Sequence, residues 1–420
     1  MCSASSHHCS LSIRLPTRRL LLMSQAQLPQ GFRTAGVHCG VKADPTILDL
    51  SLFVSDVPAV AAGVFTQNKV CGAPVKVSRP RVPRQTARAV VINSGNSNAC
   101  TGDRGIEDAK WMTAEVAKLL NCPAEDVLVC STGVIGRFLP KDVLATGFPK
   151  VVAALAPTTE AFVNAARGIM TTDTVPKQSV REVSVNGKTV RVSGAAKGAA
   201  MIGPNMATML CCIMTDATLT ESECDSMLRH AVNRSFNCIS VEGHTSTSDT
   251  VILLANGAAG AGTPNATAKA ALQTAIDEVA MDLAMAIIRD AEGASHFITI
   301  DIVGARDRND AFKIAKEIAD SALVKTAIHG ADPNWGRIVS AAGYAGVELK
   351  EEDMSLWLNE VQIYKDGAPT PVDNTTLSKL IRDNRDCSIR LVLTHGTTSL
   401  RYWTSDLTAE YVSLNADYTT

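Results

Sequence analysis

The sequence predicts a mixed fold of the α/β or α+β class, because apolar β-like runs and helical stripes interleave throughout. Two segments carry most of that reading. "REVSVNGKTVRVS" (181–193) alternates at period two around Asn186-Gly187, the pair that closes a type I′ hairpin. Leu272, Ile276, Val279, Leu283 and Ile287 form one apolar stripe and predict a long helix near 267–290. At 420 residues, the length suggests two or three lobes, or one large two-lobed unit.

The elements follow in chain order. The first 43 residues hold no acidic residue, whereas Arg14, Arg18, Arg19 and Arg33 are basic and serine is frequent. That is the composition of a mitochondrial transit peptide, although Pro16 interrupts any amphipathic helix. The expectation is a targeting extension over 1–27 and a mitochondrial matrix location, with the cytoplasm as alternative. "AVVIN" (89–93) and "DVLVCST" (126–132) read as strands, and Ile106, Ala109, Met112, Val116 and Leu119 between them as a helix. "HFITIDIVGA" (296–305) alternates as a further strand after the long helix.

"KGAAMIGPNMATMLCCIMTDA" (197–217) is unusual. A Gly-Pro-Asn bend leads into a run almost without charge, and the hydroxyl of Thr208 sits in its middle, between Ala207 and Met209. It is either a satisfied hydroxyl in a buried segment or a nucleophile held at a strained turn near a strand entry.

Composition narrows the function. Hydrophobic residues at 46% and charged residues at 20% fit a well-packed chain of enzyme size. A net charge of −2 gives no footprint for nucleic acid or an anionic membrane, and aromatics at 4% offer no stacking platform. No run approaches the ~18 apolar residues of a membrane span. The 12 cysteines form no Cys-x-x-Cys pair and no zinc spacing, so neither a metal nor a cofactor is expected.

Six polar segments could carry chemistry. "TTDTVPK" (171–177) is a hydroxyl-rich turn or a polar pocket wall. "CSTGVIG" (130–136) puts Thr132 and Gly133 at a strand exit, where backbone N–H groups can face a developing oxyanion. "SVEGHTSTSDT" (240–250) gathers Glu242, His244 and Asp249, but triad members normally come from separate segments, so a hydrogen-bonded loop is expected. "RDAEGASHF" (289–297) reads as a helix end stopped by glycine, or as Glu292 aimed at a substrate ammonium. "ADPNWGRI" (331–338) reads as a structural turn, and "NADYTT" (415–420) as a tail that frays or folds into a site.

Taken together, these segments and "NSGNSNACTGDRG" resemble the ornithine acetyltransferase (glutamate N-acetyltransferase) family of arginine biosynthesis, from about Leu28 to Thr420. The resemblance implies a two-lobed α/β sandwich like that of N-terminal-nucleophile aminopeptidases. It also implies a precursor that cleaves itself at Ala207–Thr208, giving an α chain (28–207) and a β chain (208–420) assembled as a heterotetramer. Thr208 would then carry the acetyl group from N-acetylornithine to glutamate. By the same resemblance, Thr132 and Gly133 form the oxyanion hole, and Thr171, Lys197, Thr208, Glu292, Asn415 and Thr420 bind substrate. An α-amine with a pKa of about 7.7–8.0 beside its own hydroxyl suits general-base activation of that threonine.

The family patterns "SVDGDTSTNDT" and "DGEGATKF" differ here at several positions, of which Glu242, His244, Ser248, Ala291 and His296 bear on substrate preference. None of these is Thr208, Lys197, Thr132 or Gly133. Three rivals to acetyl transfer between two amino acids stand beside it: acetyl-CoA as an additional donor, hydrolysis by an aminopeptidase or amidase of the same fold, and a non-catalytic binding protein.

Overall fold

A computed structural model describes residues 27–203 and 209–417. Ala207, Thr208, Thr420 and all but the last residue of the 1–27 extension lie outside the described residues. The first strands are β1 (Phe32–Val37), β2 (Leu50–Phe65), β3 (Arg84–Asn96), β4 (Val127–Val134), β5 (Lys177–Val185), β6 (Lys188–Lys197) and β7 (Leu210–Thr215). Then come β8 (Ile239–Ser240), β9 (Thr250–Ala255), β10 (Phe297–Ala305), β11 (Met354–Leu358), β12 (Val361–Lys365), β13 (Ala368–Pro369), β14 (Asp386–Leu393) and β15 (Thr398–Ser405). They make two mixed sheets, in the orders β4-β3-β2-β9-β7-β6-β5, with β1 on β2, and β13-β12-β11-β14-β10-β15-β8.

The expected hairpin is β5–β6. Asn186 and Gly187 take φ values of 50° and 80°, the left-handed pair that a type I′ turn requires. The expected helix spans Ala266–Arg289, and the Asn265 side chain caps it by accepting the N–H of Ala268 at 3.0 Å. All five residues of its apolar stripe are buried. Gly293 does not stop this helix: the last turn ends at Arg289, with Asp290 as its cap.

The uncharged run after Thr208 is β7, buried at all six positions. It lies between β6, antiparallel, and β9, parallel. Leu210, Cys212 and Met214 face a core that includes Phe53 and Phe162, while Cys211 and Ile213 face the opposite core. A strand covered on both faces reads as a continuous apolar run rather than an alternation. The second core is shared: helices Glu221–Arg234 and Ala266–Arg289 cover the first sheet, and their apolar residues join Ile298, Ile300, Leu391 and Tyr402 of the second. Every strand described in the second sheet follows position 208, whereas the first draws on both sides of it.

Candidate active site

Six of the expected site residues meet at one cavity of about 130 Å3: Thr132, Gly133, Thr171, Lys197, Glu292 and Asn415. They arrive from five places in the chain. Thr132 and Gly133 end β4, Lys197 ends β6, Thr171 precedes β5, and Glu292 and Asn415 follow the long helix and close the C-terminal helix Ala409–Asp417. Ser97, Met201 and Ser246–Ser248 complete much of the wall, and of these only Ser248 stood out beforehand, as a departure from the family pattern. Met209 is tied to this wall through Asp249, the residue that follows Ser248.

Lys197 is 2% exposed, and its Nζ donates to Thr171 Oγ1 at 3.1 Å. Burial lowers its pKa, and the nearby Asp173, Asp249 and Glu292 carboxyls oppose that fall. Asp173 organises this corner. Its carboxylate accepts the N–H of Thr171 at 3.0 Å, the N–H of Gly198 at 2.6 Å and Lys177 Nζ at 2.6 Å. Burial works to raise the Asp173 pKa, but Lys177, Lys197 and the Gly198 N–H outweigh it, so the carboxyl stays below its usual value. Lys177 also reaches Asp290 at 2.6 Å, and Asp290 accepts the N–H of Thr174 at 2.9 Å. The "TTDTVPK" turn is thus pinned to the end of the long helix. Its aspartate and lysine hold the wall, and its first threonine lines the cavity.

A polar belt from the "NSGNSN" segment supports the end of β4. Ser131 Oγ donates to Asn93 Oδ1 at 2.6 Å, Asn93 Nδ2 to the carbonyl of Asn96 at 2.8 Å, and Ser97 Oγ to that of Val134 at 2.8 Å. Gly133 pairs with Gly95 across β3–β4 at a φ of 126°. A Cβ there would stand 2.4 Å from the carbonyl carbon of Gly95 and 2.6 Å from the nitrogen of Asn96. Only glycine fits, in both conformation and space.

The C-terminal helix docks on the Glu292 turn. Glu292 donates its N–H to the carbonyl of Ala199 at 3.0 Å and accepts from Asn415 Nδ2 at 3.0 Å. Thr408 Oγ1 donates to the carbonyl of Gly293 at 2.7 Å and accepts the N–H of Tyr411 at 3.0 Å. A Cβ on Gly293 would lie 2.5 Å from the Tyr411 nitrogen, so this glycine serves the close approach of the helix. The tail therefore reaches the site through Asn415.

The other motifs play supporting parts. Asn334 caps the helix Trp335–Gly343, as a structural turn should. In "SVEGHTSTSDT" no triad forms: His244 is exposed, and Asp249 accepts the N–H of Met209 at 3.1 Å. Of the five departures, only Ser248 lines the cavity. Among the described residues, the two buried carboxyl oxygens of Glu242 find no hydrogen-bond partner, and burial raises its pKa to about 8. His296 turns to Asp406 instead, at 2.9 Å from Nδ1, and to the carbonyl of Ile381, at 3.1 Å from Nε2. With an acceptor at each ring nitrogen, the doubly protonated ring fits, and the hydrogen bond to Asp406 raises its pKa. Ser295, His296 and His329 edge a second, open cavity of about 370 Å3. Both histidines and Ser295 Oγ converge on the one Asp406 carboxylate, so no imidazole stands between hydroxyl and acid as a nucleophilic triad needs.

Comparison with known proteins places these residues in context. The ArgJ family model matches residues 33–420. The arginine biosynthesis bifunctional protein ArgJ of Rhodopirellula baltica is 43% identical over 396 residues, covering 94% of this chain and 96% of that protein. The protein of the same name from Geobacter sulfurreducens is 42% identical over 393 residues, covering 93% and 99%. A solved ornithine acetyltransferase complexed with ornithine, from Mycobacterium tuberculosis, is 40% identical, covers 44% of this chain and 96% of that one, and has a TM-score of 0.40.

Proposed function

The chain belongs to the ArgJ family, and on that premise we propose that it transfers acetyl from N2-acetylornithine to glutamate through an ester on Thr208. It is an acetyltransferase of arginine biosynthesis. One observation carries the site assignment. A single cavity presents a buried cation, a carboxylate and a glycine-bearing strand end beside the entry to β7.

The chemistry follows from that arrangement. Lys197 faces the substrate carboxylate and Glu292 an ammonium, each forming a charge-assisted hydrogen bond. Thr208 Oγ attacks the acetyl carbonyl carbon, and the C–N bond breaks. Ornithine leaves with the proton that the threonine α-amine took from Oγ. The Thr132–Gly133 strand end stabilises the oxyanion of each tetrahedral intermediate. The glutamate amine then attacks the ester carbon, giving N-acetylglutamate and restoring the hydroxyl. Thr171, Asn415 and Thr420 complete the substrate contacts.

Thr208 gains its free amine by self-cleavage at Ala207–Thr208. The cut falls between β6 and β7, which pair antiparallel from Lys197↔Leu210 to Val192↔Thr215. Six paired positions hold the α chain (28–207) and β chain (208–420) in one sheet, and a heterotetramer of two of each is the proposed assembly. The relatives' name "bifunctional" supports a second activity, in which acetyl-CoA supplies the acetyl group to glutamate.

An acid-free, arginine-bearing N-terminus supports mitochondrial targeting by residues 1–27. Fused to a fluorescent protein, that segment should direct it to mitochondria; a diffuse cytoplasmic signal contradicts the assignment. The transfer itself is tested with N-acetylornithine labelled in its acetyl group. The label should appear in N-acetylglutamate, in step with free ornithine. Labelled acetate released in the absence of glutamate would identify a hydrolase instead.

A further inference from the structure

Asp249 does not line the cavity and belongs to none of the roles above. It is fully buried, directly after the Ser246–Ser248 wall and directly before β9. Its Oδ1 accepts the N–H of Met209 at 3.1 Å, and the N–H of Thr250 donates to the carbonyl of Met209 at 3.1 Å. Both backbone polar groups of the residue after Thr208 are therefore tied to one short segment. That segment is itself anchored, since the N–H of Thr66 donates to the carbonyl of Asp249 at 2.9 Å. Parallel pairing of β7 and β9 begins at Leu210↔Thr250, immediately beyond this clamp.

We propose that Asp249 is a positioning residue for the nucleophile: by holding the Met209 amide through Oδ1, it fixes the direction in which Thr208 leaves β7. This rests on the reading of Thr208 as the nucleophile. A misaimed attacking group of even 1 Å can cost about 10²-fold in rate, so an anchor one residue away is placed where it matters.

The second carboxyl oxygen takes no part in this clamp. Oδ2 is buried and finds no hydrogen-bond partner among the described residues. Burial drives the Asp249 pKa above the ordinary aspartate value, against the Met209 N–H and Lys197. Asparagine is the near isostere of this side chain. The amide keeps the oxygen that Met209 needs, whereas leucine keeps the volume and loses the acceptor.

The test compares wild type, Asp249→Asn and Asp249→Leu as full-length chains. The readouts are melting temperature, the fraction cut at 207/208 by intact mass, and kcat and KM for acetyl transfer. Asp249→Asn should be cut and keep kcat within about threefold of wild type. Asp249→Leu should lose roughly 10–100-fold in cutting rate and kcat, with KM within about threefold. A purely structural role would lower the melting temperature without this split between the variants. Cutting and turnover by folded Asp249→Leu at wild-type rates would overturn the inference, as would failure of Asp249→Asn alongside it. If Asp249→Leu does not fold, hydrogen exchange at the Met209 amide of wild type decides: protection supports the clamp, and free-amide exchange overturns it. An uncut wild-type chain sinks the nucleophile reading itself, which is a separate result.

Discussion

Lys197→Met is expected to lower kcat/KM for both N-acetylornithine and glutamate by on the order of 10²–10³-fold, while the protein stays folded. On the proposed function the substrate carboxylate meets Lys197, a residue only 2% exposed, so bulk water would not take over its role. Removing one partner of a buried, hydrogen-bonded charge pair costs about 2–5 kcal/mol, because the other charge is left desolvated. The fold should tolerate the change, since Asp173 keeps Lys177, at 2.6 Å, and the N–H groups of Thr171 and Gly198.

A pH signature accompanies this loss. Burial depresses the Lys197 pKa, and the cation exists only below that pKa. Carboxylate affinity should therefore fall as pH rises through the depressed value, at lower pH than an ordinary lysine would give. KM rising on the alkaline side in wild type, and flat in Lys197→Met, identifies Lys197 as the titrating group. Wild-type kinetics in Lys197→Met would remove it from the substrate site.

Gly133→Ala is expected to reduce kcat by about 10²–10³-fold, the usual cost of one lost oxyanion donor, with a much smaller change in KM. The added methyl cannot be absorbed by a side-chain rotation, because the atoms it meets, at 2.4 Å and 2.6 Å, are the backbone of Gly95 and Asn96. The end of β4 must shift away from β3 and carry the Gly133 N–H with it. The φ of 126° adds strain of about 1–3 kcal/mol for a residue with a side chain, so the melting temperature should also fall. Kinetics of the folded fraction separate the two effects. Unchanged kcat in a merely destabilised protein would leave the strand end a structural role only.

Local signals made part of this molecule legible. The Asn186-Gly187 turn, the stripe of the Ala266–Arg289 helix and the β3 and β4 runs follow from period and turn chemistry within a dozen residues or so. The named site residues were reached by resemblance to a family, and the fold brings all six of the described ones to one cavity. What stayed hidden was the support around them. Lys177 finds Asp290 113 positions away, and Met209 finds Asp249 40 positions away. Such contacts depend on which strands become neighbours, and no window of the sequence contains that information. Setting aside a local triad of Asp249 with His244 was right, since His244 is exposed, but nothing in the sequence tied Asp249 to Met209. Gly293 did mislead: it admits the C-terminal helix and does not end the long one.

The most direct measurement is the intact mass of purified wild type beside Thr208→Ala, before and after N-acetylornithine. Wild type should give two fragments broken at Ala207–Thr208, and the fragment that begins with Thr208 should gain one acetyl group. Thr208→Ala should remain a single unacetylated chain. An uncut wild-type chain, or acetyl transfer by Thr208→Ala, would contradict the threonine-ester mechanism and leave Thr208 as an ordinary hydroxyl at the entry to β7.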